Sequence, residues 1–295
     1  MKTLFRADSS SKIGLGHIMR DLVLADQFSK NGDEVFFATQ DLEGNINYKI
    51  PFQVEIVENN SIEELLKVID KLEIKRVVFD HYEIDYSFEK ELKNSRDVEI
   101  WSFDDTYERH YSDVIYNHNI SAKPEKYKNI VPDFCQIKAG SKYTLIREEF
   151  QKAKRKFRWK NRDKIKTIFL AMGGADTSNI NLKIVKLIPK NIKVNLVTTS
   201  ANKNLKKLQK QAFLNRNIKL HINTNKMAEI MANSDFAIVT PSVILHEVLF
   251  MEISFLAIQT AENQKDMTKY LKQNGFNILE KFNKSMFNLK CYIIM

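Results

Sequence analysis

The sequence predicts an α/β protein made of two doubly wound, parallel-sheet domains with a cleft between them, and three observations carry this. Strand and helix patterns alternate through the first half of the chain, the signature of a parallel sheet covered by helices on both faces. A run of Lys and Arg from Gln151 to Lys166 interrupts the alternation, which restarts at Thr167. The 295 residues are long for one such layer structure and comfortable for two domains of roughly 100 to 200 residues each. The expected layout is a first domain over 1–150, a basic linker over 151–166 and a second domain over 167–295.

Taken in order, Thr3 to Asp8 (TLFRAD) reads as a buried strand, and His17 to Lys30 as an amphipathic helix with Ile18, Leu22, Ala25 and Phe28 on one face. Asn31-Gly32-Asp33 closes that helix with a turn, and a strand follows over 34–39. Ser61 and Glu64 form a capping-box pair at the head of a helix over 61–72. Strand 76–80, helix 86–94 and strands 98–103 and 113–117 complete the first half. In the second half, strands are expected at 167–172, 192–198, 218–222, 235–240 and 253–259, and helices at 180–188, 203–213, 225–232, 242–251 and 263–273. The halves share an architecture but no sequence repeat.

The formal charge is +9, yet nine Lys/Arg against one Asp within 151–166 supply +8 of it. The excess is one segment, read as a solvated linker or exposed helix face. Contact with an acidic partner or anionic lipid, anchored by Phe157 and Trp159, is the competing reading. Met1-Lys2 runs directly into the first strand without an apolar leader, and no run of about 18 apolar residues is present to span a bilayer. A soluble cytoplasmic protein is expected. Cys135 and Cys291 lie far apart without CxxC spacing, which suggests neither a disulfide framework nor a zinc site.

The segment Gly14-Leu15-Gly16-His17 follows the first strand and opens the first helix. Gly14 and Gly16 can take φ > 0 and carry no Cβ. A helix start offers unpaired N–H groups and the positive end of the macrodipole, which together attract phosphate. His17 adds an imidazole whose reference pKa near ~6.5 suits general-base work at neutral pH. The spacing is not GxGxxG, since Met19 stands three after Gly16. Taken alone, the tetrapeptide also fits a Gly-rich turn followed by a histidine that caps and packs.

Asp80-His81 and Asp104-Asp105 fall at the C-terminal ends of predicted strands, where open α/β sheets place their crevice. There they line a sugar pocket or serve as caps and loop anchors. In the second half TIFLAM runs into Gly173-Gly174, and strand DFAIVT ends at Thr240 before Pro241-Ser242-Val243 opens the helix carrying Glu247. Ser242 can cap while exposed amides face a phosphate. Glu247 can accept from vicinal ribose hydroxyls or complement the helix dipole. Asn263 and Gln264, in TAENQ, can reach sugar hydroxyls or acetamido groups, or act as caps.

Seven segments, FRADSSSKIGLGHIMRDLVLA, FDHY, SFDD, LIREEF, AMGGAD, PSVILHEVLFM and TAENQ, occur in order over most of the chain. In them the sequence resembles the bacterial hydrolases of pseudaminic-acid biosynthesis that release UDP from UDP-2,4-diacetamido-2,4,6-trideoxy-β-L-altropyranose. That family is similar to GT-B glycosyltransferases of the MurG type, so the resemblance implies a GT-B-like fold of two Rossmann-like domains, with the nucleotide held mainly by the C-terminal one. It implies His17 as catalytic base, Gly14, Leu15 and Gly16 at the diphosphate and sugar, the Ser242 and Val243 amides at phosphate, Glu247 at ribose and Asn263 on the sugar side. Asp80, His81, Asp104, Gly173, Gly174 and Gln264 complete the candidate substrate-binding set. The implied reaction is attack of water at C1 with inversion, with UDP stabilised by helix N-termini and glycine-loop amides. Asp104-Asp105 lacks the DxD spacing of metal-dependent glycosyltransferases, so no metal and no cofactor are expected. After Phe276 the tail KFNKSMFNLKCYIIM departs from the family habit, which leaves open whether a last helix crosses back to the first domain.

The competing functions are a GT-B glycosyltransferase that passes the sugar to an acceptor, a UDP-sugar 2-epimerase, a non-catalytic sugar-nucleotide sensor, and an RNA-binding module acting through 151–166. The expected partner is a UDP-sugar substrate, with no nucleic acid and no membrane. A monomer is the default, the oligomeric state being left open.

Overall fold

The structure, a computed structural model, describes residues 1–156, 164–284 and 287. It divides into two compact units, Met1–Leu145 and Ile146–Met295. The first unit runs β1 (Lys2–Ala7), α1 (Gly16–Lys30), β2 (Glu34–Thr39), β3 (Gln53–Ile56), α2 (Ile62–Leu72), β4 (Arg76–Asp80), α3 (Tyr86–Ser95), β5 (Glu99–Phe103), β6 (Val114–Asn117) and β7 (Gln136–Ala139). All pairings are parallel, in the order β3-β2-β1-β4-β5-β6-β7. The central strands are mostly apolar on both faces because both faces are covered. Phe5 and Ala7 pack with Ile18, Leu24 and Phe28 of α1, while Leu4 packs on the other side with Leu65, Ile69 and Leu92 of α2 and α3.

The second unit opens with α4 (Glu148–Lys156) and continues β8 (Thr167–Ala171), α5 (Ile180–Val185), β9 (Lys193–Thr198), α6 (Leu205–Leu214), β10 (Ile218–Ile222), α7 (Met227–Ala232), β11 (Phe236–Val239), α8 (Val243–Phe250), β12 (Phe255–Ile258), α9 (Lys265–Gln273) and β13 (Ile278–Leu279). Its sheet is parallel in the order β10-β9-β8-β11-β12-β13. In each sheet the winding reverses once, between β1 and β4 and between β8 and β11. Such reversals splay the flanking loops apart and leave a crevice at the carboxyl ends of the strands.

The structure departs from the sequence reading at several elements. Residues 151–156, expected as linker, are helical, and the unit boundary lies at Leu145/Ile146. Glu148 and Glu149 suit the positive end of α4, and Phe150 and Ala153 are buried on one side of it. Ser61 accepts from the Glu64 amide at 3.3 Å, but Glu64 sends its carboxylate to the Glu58 amide and Lys67, so the expected capping box is half formed. Strands β3, β7 and β13 lie outside the expected elements. Residues 157–163, with Phe157 and Trp159, and 288–295, with Cys291, fall outside the described residues. Phe282 and Phe287 of the tail pack into the second unit's core. No helix among the described residues is long and apolar enough to cross a membrane.

Candidate active site

At the first reversal, β1 runs into a loop that closes on itself through Ser10. Its Oγ accepts from the amides of Ile13 (2.9 Å) and Lys12 (3.2 Å). Gly14 donates its amide to the Ser10 carbonyl at 2.9 Å and receives one in return at 3.3 Å. Gly14 has φ +92°, a conformation that side-chain-bearing L residues adopt only under strain. Gly16 is the first residue of α1, so the left-handed geometry expected of both glycines belongs to Gly14 alone. Leu15, at the N-cap, provides no side-chain cap for α1, and the leading amides point out of the helix start.

The register of β1 on β4 sets Ala7 beside Asp80, and α1 returns over that strand end with His17 in its first turn. Asp80 Oδ1 lies 2.6 Å from His17 Nδ1, and Oδ2 accepts from Arg20 Nε at 2.6 Å. A second Arg20 nitrogen, Nη2, donates to Oδ1. Arg20 stands three residues after His17, the spacing that aligns side chains on one helix face. It also reaches Asp105 at 3.3 Å, and Tyr82 donates to Asp105 at 3.0 Å while setting its ring edge-on to His17, centroids 5.2 Å apart.

Asp80 is 2% exposed and Arg20 6%. Burial pushes the Asp80 carboxyl up, but the Arg20 guanidinium and then His17 hold it well below the usual carboxylate range. An ionised acceptor at Nδ1 fixes the proton there and leaves the lone pair on Nε2. Nε2 has no hydrogen-bond partner among the described residues. A base needs this arrangement, an oriented imidazole with one nitrogen anchored and one available.

The other strand-end residues expected in the pocket have partners in the chain. His81 Nε2 lies 3.1 Å from Asp8, and its Nδ1 accepts from the Glu83 amide at 3.1 Å, so both ring nitrogens serve the loops. Asp8 is fastened by Arg6 through two bonds of 2.8 Å and by the Gln40 amide. Burial pushes Asp8 up, and His81 and Arg6 outweigh it, holding the carboxyl well below its usual range. Asp104 Oδ1 accepts from the Thr106 amide and hydroxyl and from the Tyr107 amide, an Asx-type turn. Asp80 alone of the expected quartet touches His17, and Asp105 joins through Arg20.

At the second reversal, Gly173 (φ +82°) and Gly174 follow β8. A Cβ on Gly174 would come within 2.9 Å of Thr199 Cγ2, so the backbone there lies against β9's end. Asp176 then caps α5 through the Ile180 and Asn181 amides, and burial pushes its carboxyl up to about 6 against those bonds. Ser242 was expected to cap α8; instead its hydroxyl meets Thr240 Oγ1 at 2.9 Å. Val243 is the first helical residue.

Glu247 was expected at a ribose. The structure buries it to 2% exposure and gives both oxygens to Arg147, Nε to Oε1 at 2.6 Å and Nη2 to Oε2 at 2.9 Å. Gln264 Oε1 accepts from the Thr260 and Ala261 amides and so holds the turn ahead of α9, while Asn263 is exposed. Sequence reasoning missed Arg20, Asp21, Tyr82 and Arg147. The i, i+3 and i+4 spacing from His17 was the available signal for Arg20 and Asp21. Among the described residues, no group of three or more His, Cys, Asp and Glu converges on a metal-sized site.

Two parallel α/β units, each with its reversal crevice, define the GT-B class, and the solved structures agree. Spinosyn rhamnosyltransferase SpnG with its aglycone has a TM-score of 0.62 at 11% identity, covering 99% of this chain and 90% of that one. MurG of Acinetobacter baumannii gives 0.60 at 10% identity, covering 99% and 89%. The UDP-GlcNAc 2-epimerase of Neisseria meningitidis bound to UDP-GlcNAc gives 0.54 at 13% identity, covering 92% and 91%. At such identities the likeness is one of fold.

No protein-family model matches the chain. The UDP-2,4-diacetamido-2,4,6-trideoxy-β-L-altropyranose hydrolase of Campylobacter jejuni is 40% identical over 283 residues, spanning 96% of this chain and all of that protein. The chain belongs to the family of UDP-2,4-diacetamido-2,4,6-trideoxy-β-L-altropyranose hydrolases. SpsG, a spore coat polysaccharide biosynthesis protein of Bacillus subtilis, is similar at 23% identity over 276 residues, covering 91% of this chain and 80% of its own length.

Proposed function

We propose that this protein hydrolyses UDP-2,4-diacetamido-2,4,6-trideoxy-β-L-altropyranose to UDP and the free sugar by attack of water at C1 with inversion. The relative at 40% identity over its whole length supports the substrate. The single structural observation that carries the chemistry is the His17 ring anchored at Nδ1 on the buried, ionised Asp80. His17 Nε2 takes a proton from water as the water oxygen bonds to C1. The C1–O bond to UDP breaks, and its electron pair leaves on the β-phosphate oxygen.

UDP needs little acid assistance once its charge is met. The amides that follow Gly14 at the uncapped start of α1, and those of Ser242 and Val243 at the start of α8, are the groups assigned to that charge. Gly173 and Gly174 supply a backbone without Cβ at the second reversal, and Asn263 is assigned to the sugar side. Glu247 remains with Arg147 in this reading and serves to fix α8.

The test is incubation with the sugar nucleotide alone in heavy-oxygen water. Prompt UDP release with the label on the sugar is expected. Label on UDP would place the cleavage at P–O, and silence until an acceptor is added would make the protein a transferase. A product altered at C2 would make it an epimerase.

A further inference from the structure

Asp21 lies on α1 one residue beyond Arg20 and four beyond His17, with a relative exposure of 0%. Neither of its carboxyl oxygens meets a hydrogen-bond donor among the described residues. The groups acting on it are Asp80 from β4 and Arg20 from its own helix. Arg20 is committed to Asp80 and Asp105. An ionised Asp21 would be a buried anion facing a second anion with no donor, the arrangement protein interiors avoid by neutralising the group. The neutral acid needs an acceptor instead, and Asp80 is that acceptor. Burial first and the Asp80 charge second act to raise the Asp21 pKa well above its ordinary value.

We propose that Asp21 is held as a protonated carboxylic acid whose O–H is donated to Asp80, making it a positioning residue for the His17 base. This rests on the reading of His17 as the base. Asp80 then receives His17, two Arg20 nitrogens and the Asp21 hydroxyl, so its charge is shared among four donors. That sharing keeps Asp80 anionic, which fixes the His17 tautomer, and limits how strongly it stabilises the imidazolium. With Asp21 neutral, the cluster holds one guanidinium against the two carboxylates of Asp80 and Asp105. A third carboxylate would bias His17 toward the imidazolium, which takes no proton from water.

Two measurements test this on the full-length protein. Infrared difference spectra of wild type against Asp21→Asn at neutral pH should show loss of the C=O stretch of a protonated acid; loss of carboxylate bands instead overturns the proposal whatever the enzyme's activity. In pH profiles of kcat/KM for UDP release, Asp21→Asn, which keeps a donor toward Asp80, should hold the acid limb in place. Asp21→Leu, of similar size without a donor, should move that limb to higher pH by about one unit. An unmoved limb in Asp21→Leu, or an acid-ward shift in Asp21→Asn, overturns it. If Asp21→Leu does not fold, the Asn profile and the infrared band decide. Absence of UDP release by wild type would defeat the hydrolase reading and leave the infrared result standing.

Discussion

His17 Nδ1 lies 2.6 Å from Asp80, and Arg20, from the same helix, binds that same carboxylate. Orientation of the His17 ring and attachment of α1 to β4 therefore rest on one side chain. Asp80→Asn keeps the shape but can offer Nδ1 a donor in place of an acceptor, which favours the wrong tautomer. UDP release should fall by a factor on the order of 10² to 10⁴, while UDP binding by calorimetry stays near wild type. His17→Asn should behave likewise. Normal turnover in either variant removes His17 from the mechanism.

The partly buried Arg147, which also meets Glu149, and the buried Glu247 form a pair that joins the segment before α4 to α8. Arg147→Ala strands a carboxylate at 2% exposure and should cost about 3 kcal/mol in urea unfolding. Replacing both, as Arg147→Met with Glu247→Leu, should recover most of that loss. If the double variant instead retains stability but loses UDP affinity, Glu247 belongs to the nucleotide after all.

Stability should also depend on His110. Burial lowers its pKa, but the hydrogen bond to Glu89 at 2.7 Å outweighs burial and the net shift is upward. The unfolded value is near ~6.5, so this stabilisation is whole below that pH and drains away as pH rises through the higher folded value. Urea midpoints between about pH 6 and pH 9 should therefore decline in wild type and decline less in Glu89→Gln. Parallel declines would show that the pair does not titrate in this range.

The basic segment should be dispensable for turnover. Lys152 is largely exposed and pairs with Glu148 on its own helix, and surface substitutions of this kind change stability by about 0.5 kcal/mol or less. Gln at Lys152, Arg155, Lys164 and Lys166 together should leave UDP release unchanged. Loss of turnover would give the segment a place in substrate handling, and salt-sensitive RNA retention in wild type that the variant loses would revive nucleic-acid binding.

The sequence made the repeating strand–helix plan legible because buried parallel strands such as Val35–Ala38 and Ile168–Ala171 are continuous apolar runs. The strands missed lie at the sheet margins. QVEI and QIKA alternate polar and apolar residues and are only partly buried, and β13 is two residues long. The apolar side of α4 was hidden under its lysines. At the site, His17 and Asp80 were each singled out, yet their contact spans 63 positions and follows from the pairing of β1 with β4, which no local pattern reports. Glu247 illustrates the opposite case: its position in the chain suits a sugar, and only the folded neighbourhood shows Arg147 bound to its carboxylate.

Placing His17, Arg20 and Asp21 on one turn-and-a-half of helix, opposite a single strand-end aspartate, makes the proposed catalytic unit compact. A designer grafting it onto another parallel sheet would need one helix, the neighbouring strand terminus and the short segments after β4 and β5 that carry Tyr82 and Asp105.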